Sequence, residues 1–174
     1  GAALFEGIGV ERDLDGKINI FRLDEHAKRM SKGGQFFDMP AIPADIFRRM
    51  VIDCVQANKE FIPENGKGRL YIRPDWFDKG PRLHVNNSNL HALTMTAIVI
   101  GSMESYFKKG KKVFFVPQNV FRATTNGAGQ TKAAGNYGAT IRLQHRVNEA
   151  EIAGILYMDE GKDRIEETLA SSFI

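Results

Sequence analysis

The sequence predicts an α/β chain, with a small α+β unit at its start and a second mixed unit after it. Three observations carry that prediction. Apolar residues alternate with polar ones at Ile8, Val10, Ile18 and Ile20, and β-favouring residues fill 93–100 (Leu-Thr-Met-Thr-Ala-Ile-Val-Ile), which is strand chemistry. Between residues 44 and 59, Ile46, Phe47, Met50, Val51, Cys54 and Val55 fall on one face at helical spacing. Gly110, inside the run Lys108, Lys109, Lys111 and Lys112, marks a turn and a change of unit. The expected division is 1–107 for the first unit, 108–111 for a linker and 112–174 for the second.

Taken in order, residues 4–21 read as a hairpin that turns at Asp13-Leu14-Asp15-Gly16. Asp24 reads as the N-cap of a helix through Glu25, His26, Arg29 and Met30, ended by Gly33 and Gly34. Pro43 suits the start of the second helix, and Pro63 and Gly66 follow its end. Leu70-Tyr71-Ile72-Arg73 reads as a short strand stopped by Pro74, with 75–90 irregular and polar. Residues 113–116 read as a strand, 137–147 as a helix, and 152–158 and 165–167 as two further strands. There are no internal repeats.

Composition narrows the function. The 174 residues are 43% hydrophobic and 26% charged, with a net charge of +3, which is ordinary globular composition. The four lysines at 108–112 lack interleaved aromatics, so a solvated turn is expected there rather than a nucleic-acid surface; a basic binding module is the minor alternative. The single Cys54 excludes an intrachain disulfide and fits a reducing compartment, so a cytoplasmic location is expected. No apolar run reaches the length of a membrane span. His26, His84, His91 and His145 lack zinc-ligand spacing. The apolar start Gly1-Ala-Ala-Leu-Phe and the apolar end Ser171-Ser172-Phe173-Ile174 read as cut ends of a longer chain.

One loop stands out chemically. Asn126-Gly-Ala-Gly-Gln-Thr-Lys132-Ala-Ala-Gly-Asn-Tyr137 places a single amine among small residues just before a helical pattern. Gly127, Gly129 and Gly135 allow tight turns and close approach to a bound group. Two phosphate motifs fail: Thr131 stands where a P-loop needs glycine, and Lys132 stands where a dinucleotide fingerprint needs one. An amine so placed suits covalent capture of a carbonyl cofactor; a solvated surface lysine is the alternative.

Five local features then occur in one order: Phe5-Glu6-Gly7, Glu25-His26-x-x-Arg29-Met30, Tyr71-Ile72-Arg73-Pro74, Lys132-Ala-Ala-Gly-Asn-Tyr137 and Ile165-Glu166-Glu167. Together they resemble the class IV pyridoxal-phosphate aminotransferases, closest to the branched-chain amino acid aminotransferases. The Tyr-Ile-Arg-Pro element favours that group over D-amino acid aminotransferases and aminodeoxychorismate lyases. The resemblance implies a class IV aminotransferase-like fold of two domains with the site between them. It implies pyridoxal 5'-phosphate as cofactor, Lys132 as Schiff-base lysine, and Tyr137 on the cofactor's phenolic oxygen. Glu167 would pair with the pyridine nitrogen and Arg29 would hold the phosphate. Tyr71 and Arg73 would line the substrate side, and Phe5 and Gly7 would shape the side-chain pocket. The implied reaction is transamination of leucine, isoleucine and valine with 2-oxoglutarate as acceptor, by a homodimer or higher homo-oligomer.

The sequence also departs from that pattern. Thr168-Leu169-Ala170-Ser171-Ser172 replaces a glycine-containing turn ending in asparagine, Ala134 replaces a common glycine, and Asp75-Trp76-Phe77 stands where apolar residues and a glycine are usual. These departures leave a non-catalytic or altered-specificity homologue, or an inactive fragment, as the alternative. The region 112–174 reads as only the first part of a cofactor-binding domain, so a chain ending at Ile174 is expected to bind cofactor weakly or not at all.

Overall fold

The structure, a computed structural model, describes residues 2–81, 83, 84, 86–102, 104, 113–115, 119–138, 140, 141, 143, 145, 154–161 and 163–168; the side chains of 113–115, 154 and 167 lie outside that description. The chain divides into two compact units, Gly1–Met103 and Glu104–Ile174. The expected linker at 108–111, with its lysines, falls outside the described residues.

The first unit is a five-stranded antiparallel sheet with two helices. Its strands are β1 (Ala3–Phe5), β2 (Ile8–Arg12), β3 (Ile18–Ile20), β4 (Gly68–Asp78) and β5 (His91–Gly101), and its helices are α1 (Leu23–Phe36) and α2 (Ala44–Ala57). β4 is central: β1 and β2 pair with it along one edge and β5 along the other, while β3 extends the sheet beyond β2. The expected hairpin is therefore Ile8 to Ile20 only. Leu4 and Phe5 belong to a separate strand, in the same register against β4 as β2 (Phe5 opposite Asp75, Ile8 opposite Ile72).

Pro74 does not stop β4, which runs on to Asp78. Proline removes a ladder donor. The loss falls where the partner chain is already interrupted at Glu6-Gly7, and the Pro74 carbonyl still accepts from the Glu6 amide at 2.9 Å. The sheet thus takes a buried proline in a central strand by breaking the neighbour, not the strand itself.

Side-chain alternation divides the sheet into two faces. Leu4, Ile8 and Val10 join Leu70, Ile72 and Trp76 on the buried face, with Ala27 and Met30 of α1 and Phe47, Val51 and Val55 of α2. The α2 stripe is the one its periodicity predicts. α1 differs from expectation at both ends. Arg22, in the left-handed region at φ 47°, occupies its N-cap position, and Asp24 lies in the first turn without capping it. Gly33 and Gly34 do not end the helix; both are buried within it, and a Cβ on Gly34 would collide with the Trp76 ring.

The second unit contains β6 (Val113–Phe115), β7 (Gly154–Met158) and β8 (Ile165–Thr168), with β6 parallel and β8 antiparallel to the central β7. Ile155, Leu156 and Tyr157 are buried on β7. Two short 3-10 turns, Ala128–Gln130 and Ala134–Tyr137, precede residues 138, 140, 141, 143 and 145, all helical.

Candidate functional site

In the first unit the sheet face away from the buried core collects four of the singled-out residues. Phe5, Gly7, Tyr71 and Arg73 occupy alternate positions of β1, the Glu6-Gly7 break and β4, so they share one face. The Arg73 guanidinium carbon lies 4.2 Å from the centre of the Phe5 ring, within cation–π range. The Tyr71 hydroxyl sits over Gly7, where a Cβ would collide with it. Glycine at position 7 is thus what lets Tyr71 lie flat on the chain. Arg73 Nε also donates to Asp75 Oδ1 at 3.0 Å. Asp75 carries no role in the sequence reading, although its replacement of an apolar residue marks it.

Arg29 is placed differently. Nε and Nη2 donate to Oε1 and Oε2 of Glu6, both at 2.6 Å, and His26 Nδ1 is 2.7 Å from Oε2. Glu6 is fully buried, while 57% of the Arg29 side chain is exposed. Burial pushes the Glu6 carboxyl up, but hydrogen bonds and charge from Arg29 and His26 outweigh it and hold the group below the usual carboxylate range. His26 and Arg29 lie three apart on α1, so they present together. Glu6 belongs to one of the five motifs, but the sequence reading gives it no role. The available signal is its place among Leu4, Ile8 and Val10, on the side that becomes core. The acidic neighbours on α1 are engaged elsewhere: Asp24 with Arg48 at 2.5 Å and Glu25 with Lys28 at 2.8 Å.

In the second unit Lys132 Nζ donates to the Tyr137 hydroxyl at 3.1 Å. Both side chains are half-buried. The loop is built to hold them. Asn136 Nδ2 donates to the carbonyls of Ala128 and Thr131 at 2.9 and 3.0 Å, and the buried Thr131 hydroxyl donates to the Ala128 carbonyl at 2.7 Å. These bonds tie the residue before Lys132 to the residue before Tyr137. Gly127 and Gly129 are needed for packing, since a Cβ would strike Thr124 or Ala123; nothing lies within 4 Å of one at Gly135. The expected need for glycine at 135 is therefore not steric. Glu167 lies on β8, with its side chain outside the described residues. Among the described residues no cluster of three metal-ligating side chains occurs, and no helix is long and apolar enough to cross a membrane.

No family model matches the chain. It is 37% identical over 161 residues to branched-chain amino acid aminotransferase 2, chloroplastic, of Humulus lupulus, covering 91% of this chain and 39% of that protein. It is 32% identical over 173 residues to branched-chain-amino-acid aminotransferase 2, chloroplastic, of Arabidopsis thaliana, covering 98% of this chain and 44% of that protein. Among solved structures, the branched-chain amino acid aminotransferase from Thermobaculum terrenum in its PLP-form (holo-form) superposes with a TM-score of 0.73 at 21% identity, covering 97% of this chain and 53% of the other. The fold is that of the class IV aminotransferases. The chain spans about two fifths to one half of the length of these relatives.

Proposed function

We propose, from a chain homologous to the branched-chain amino acid aminotransferases along nearly its whole length, that it serves pyridoxal-phosphate-dependent transamination of leucine, isoleucine and valine. 2-Oxoglutarate is the acceptor in this reading. The observation that carries it is the Lys132–Tyr137 pair. An amine 3.1 Å from a phenol five residues on, in a loop pinned by Asn136 and Thr131, is the donor set that an aldehyde-bearing, phenol-bearing cofactor requires.

When bound, pyridoxal phosphate supplies the electron sink for charge developing at the substrate α-carbon. Lys132 would hold the cofactor through its aldehyde carbon, and its amine would serve as the base for the proton at the substrate α-carbon. Tyr137 would donate to the cofactor's phenolic oxygen, and Glu167 would keep a proton on the ring nitrogen, each pKa unit being worth about 1.4 kcal/mol. Arg29 would bring its guanidinium to the phosphate; Glu6 orients it by accepting from Nε and Nη2, and His26 in turn contacts Glu6. Tyr71 and Arg73 take the substrate side; Phe5 and Gly7 shape the side-chain pocket.

We extend the reading to two domains, with residues 112–174 belonging to the cofactor-binding one, and to a homodimer or higher homo-oligomer. A cytoplasmic location rests on the single cysteine, whereas the plant relatives carry chloroplastic and mitochondrial names. The test is a half-reaction. Leucine added to the full-length protein with bound cofactor should convert its visible absorption to that of the pyridoxamine form. Cofactor binding without that change would mark a non-catalytic homologue.

A further inference from the structure

We infer that Glu160 is a positioning residue: it clamps the lysine loop to the hairpin that bears Glu167, and so sets the spacing between the two grips on the cofactor ring. The inference rests on the roles of Lys132 and Glu167 proposed above. The clamp is one carboxylate oxygen. Glu160 Oε2 accepts from the Thr125 hydroxyl at 2.9 Å and from the Thr125 amide at 3.3 Å. A preformed turn between β7 and β8 presents Glu160. Asp159 Oδ1 accepts from the amides of Asp163 and Arg164, both at 3.1 Å, and the Asp159 amide donates to the Arg164 carbonyl at 3.0 Å. β8 starts at the next residue, Ile165, and carries Glu167.

From Thr125 the hydrogen bonds continue to the lysine. The Gly127 amide donates to the Thr124 carbonyl at 2.9 Å, closing a turn around Thr125. The Ala128 carbonyl then collects three donors: the Thr131 amide, the Thr131 hydroxyl and Asn136 Nδ2. Lys132 and Tyr137 directly follow those two residues. The path therefore runs from the turn before β8 to Lys132 within one compact unit. Such a tie matters for this chemistry. The aldehyde carbon and the ring nitrogen of pyridoxal phosphate lie on opposite sides of a rigid aromatic ring. A lysine and a carboxylate that take one each must be held at a fixed separation, and small misplacements are costly. The two residues are remote in sequence, and the Thr125–Glu160 contact links their segments.

The experiment uses the full-length protein with bound cofactor and reads the pH midpoint of its visible absorption, which reports the proton on the Lys132 nitrogen bonded to the cofactor. A proton on the ring nitrogen is a like charge and disfavours that second proton. When Glu167 is out of place the ring proton is lost more readily, and the Lys132 nitrogen keeps its own to higher pH. Thr125→Val removes the hydroxyl without changing charge, and Glu160→Ala removes the acceptor. Each should raise the midpoint by about 0.5 pH unit, a roughly threefold change suited to one exposed charged contact. The double variant should match Glu160→Ala alone, since both changes remove the same bond. Glu160→Gln keeps an acceptor oxygen and should stay near the parent. A midpoint unmoved or lowered in both single variants, or a double variant at the sum of the two, overturns the inference. Lys132→Ala tests the parent reading separately. If the visible band survives that change, both readings fall; if the band is lost and the midpoints stay fixed, only the role of Glu160 falls.

Discussion

Glu6 brings a full negative charge under the sheet, and Arg29 and His26 answer it with hydrogen bonds of 2.6–2.7 Å. The two ends of this pair differ in exposure, so their removal differs in cost. Glu6→Gln leaves Arg29 able to reach water, and roughly 1.5–3 kcal/mol of lost charged hydrogen bonding is expected. Arg29→Met leaves a carboxylate buried with only His26, and about 3–5 kcal/mol is expected. Urea unfolding that ranks the two in the opposite order would refute this assignment. Because the folded Glu6 pKa is depressed, its contribution is full above the ordinary glutamate value and is lost as pH falls through the folded one.

Asp78 follows the same sign at the other end of β4. Hydrogen bonds from the Ser88 hydroxyl, the Gly80 amide and the Ser88 amide hold its carboxyl at about 2. Its contribution is complete above the usual aspartate value near ~3.9 and disappears as pH falls toward about 2. Asp78→Asn should therefore flatten the acid limb of the stability curve in that window and lower stability at neutral pH. An acid titration with the same slope in both proteins would contradict this. Asp78 does not stand out in the sequence as a partner, because a lone carboxylate carries no motif; Glu6 lies within a motif, but only the strand phase marks it as buried.

Among elements, periodicity makes β2, β3 and α2 readable, since each has one apolar face and one polar, while β-favouring composition makes β5 readable. Punctuation residues mislead. Pro74 and the Gly33-Gly34 pair read as stops, yet tertiary packing uses them inside β4 and α1. A glycine inside a helix ordinarily costs about 1 kcal/mol relative to alanine, so Gly34→Ala would stabilise an isolated helix. Here the Trp76 ring fills the space a Cβ needs, and overpacking of about 1–3 kcal/mol is expected to win. A thermal melt of Gly34→Ala at or above the parent's midpoint would show that Trp76 moves aside freely.

Across the whole molecule, the first unit carries its own core of strand and helix residues, from Leu4 through Trp76. Residues 1–103 produced alone should unfold cooperatively. Trp76 is the sole tryptophan and is 3% exposed, so its fluorescence follows that unit only. A broad, non-cooperative transition would show that the core needs the rest of the chain. Five short motifs in order point to Lys132, Tyr137, Arg29, Tyr71 and Arg73, whereas the contacts that position them come from strand register and loop packing.

The proposed chemistry depends on the amine of Lys132 being the covalent anchor of pyridoxal phosphate. Borohydride reduction of the full-length protein with bound cofactor, followed by peptide mass mapping, reads that bond itself. The expected product is a phosphopyridoxyl group on the peptide carrying Lys132, lost in Lys132→Ala and unaffected in Lys112→Ala. A label on another lysine, or one that survives Lys132→Ala, would contradict the assignment.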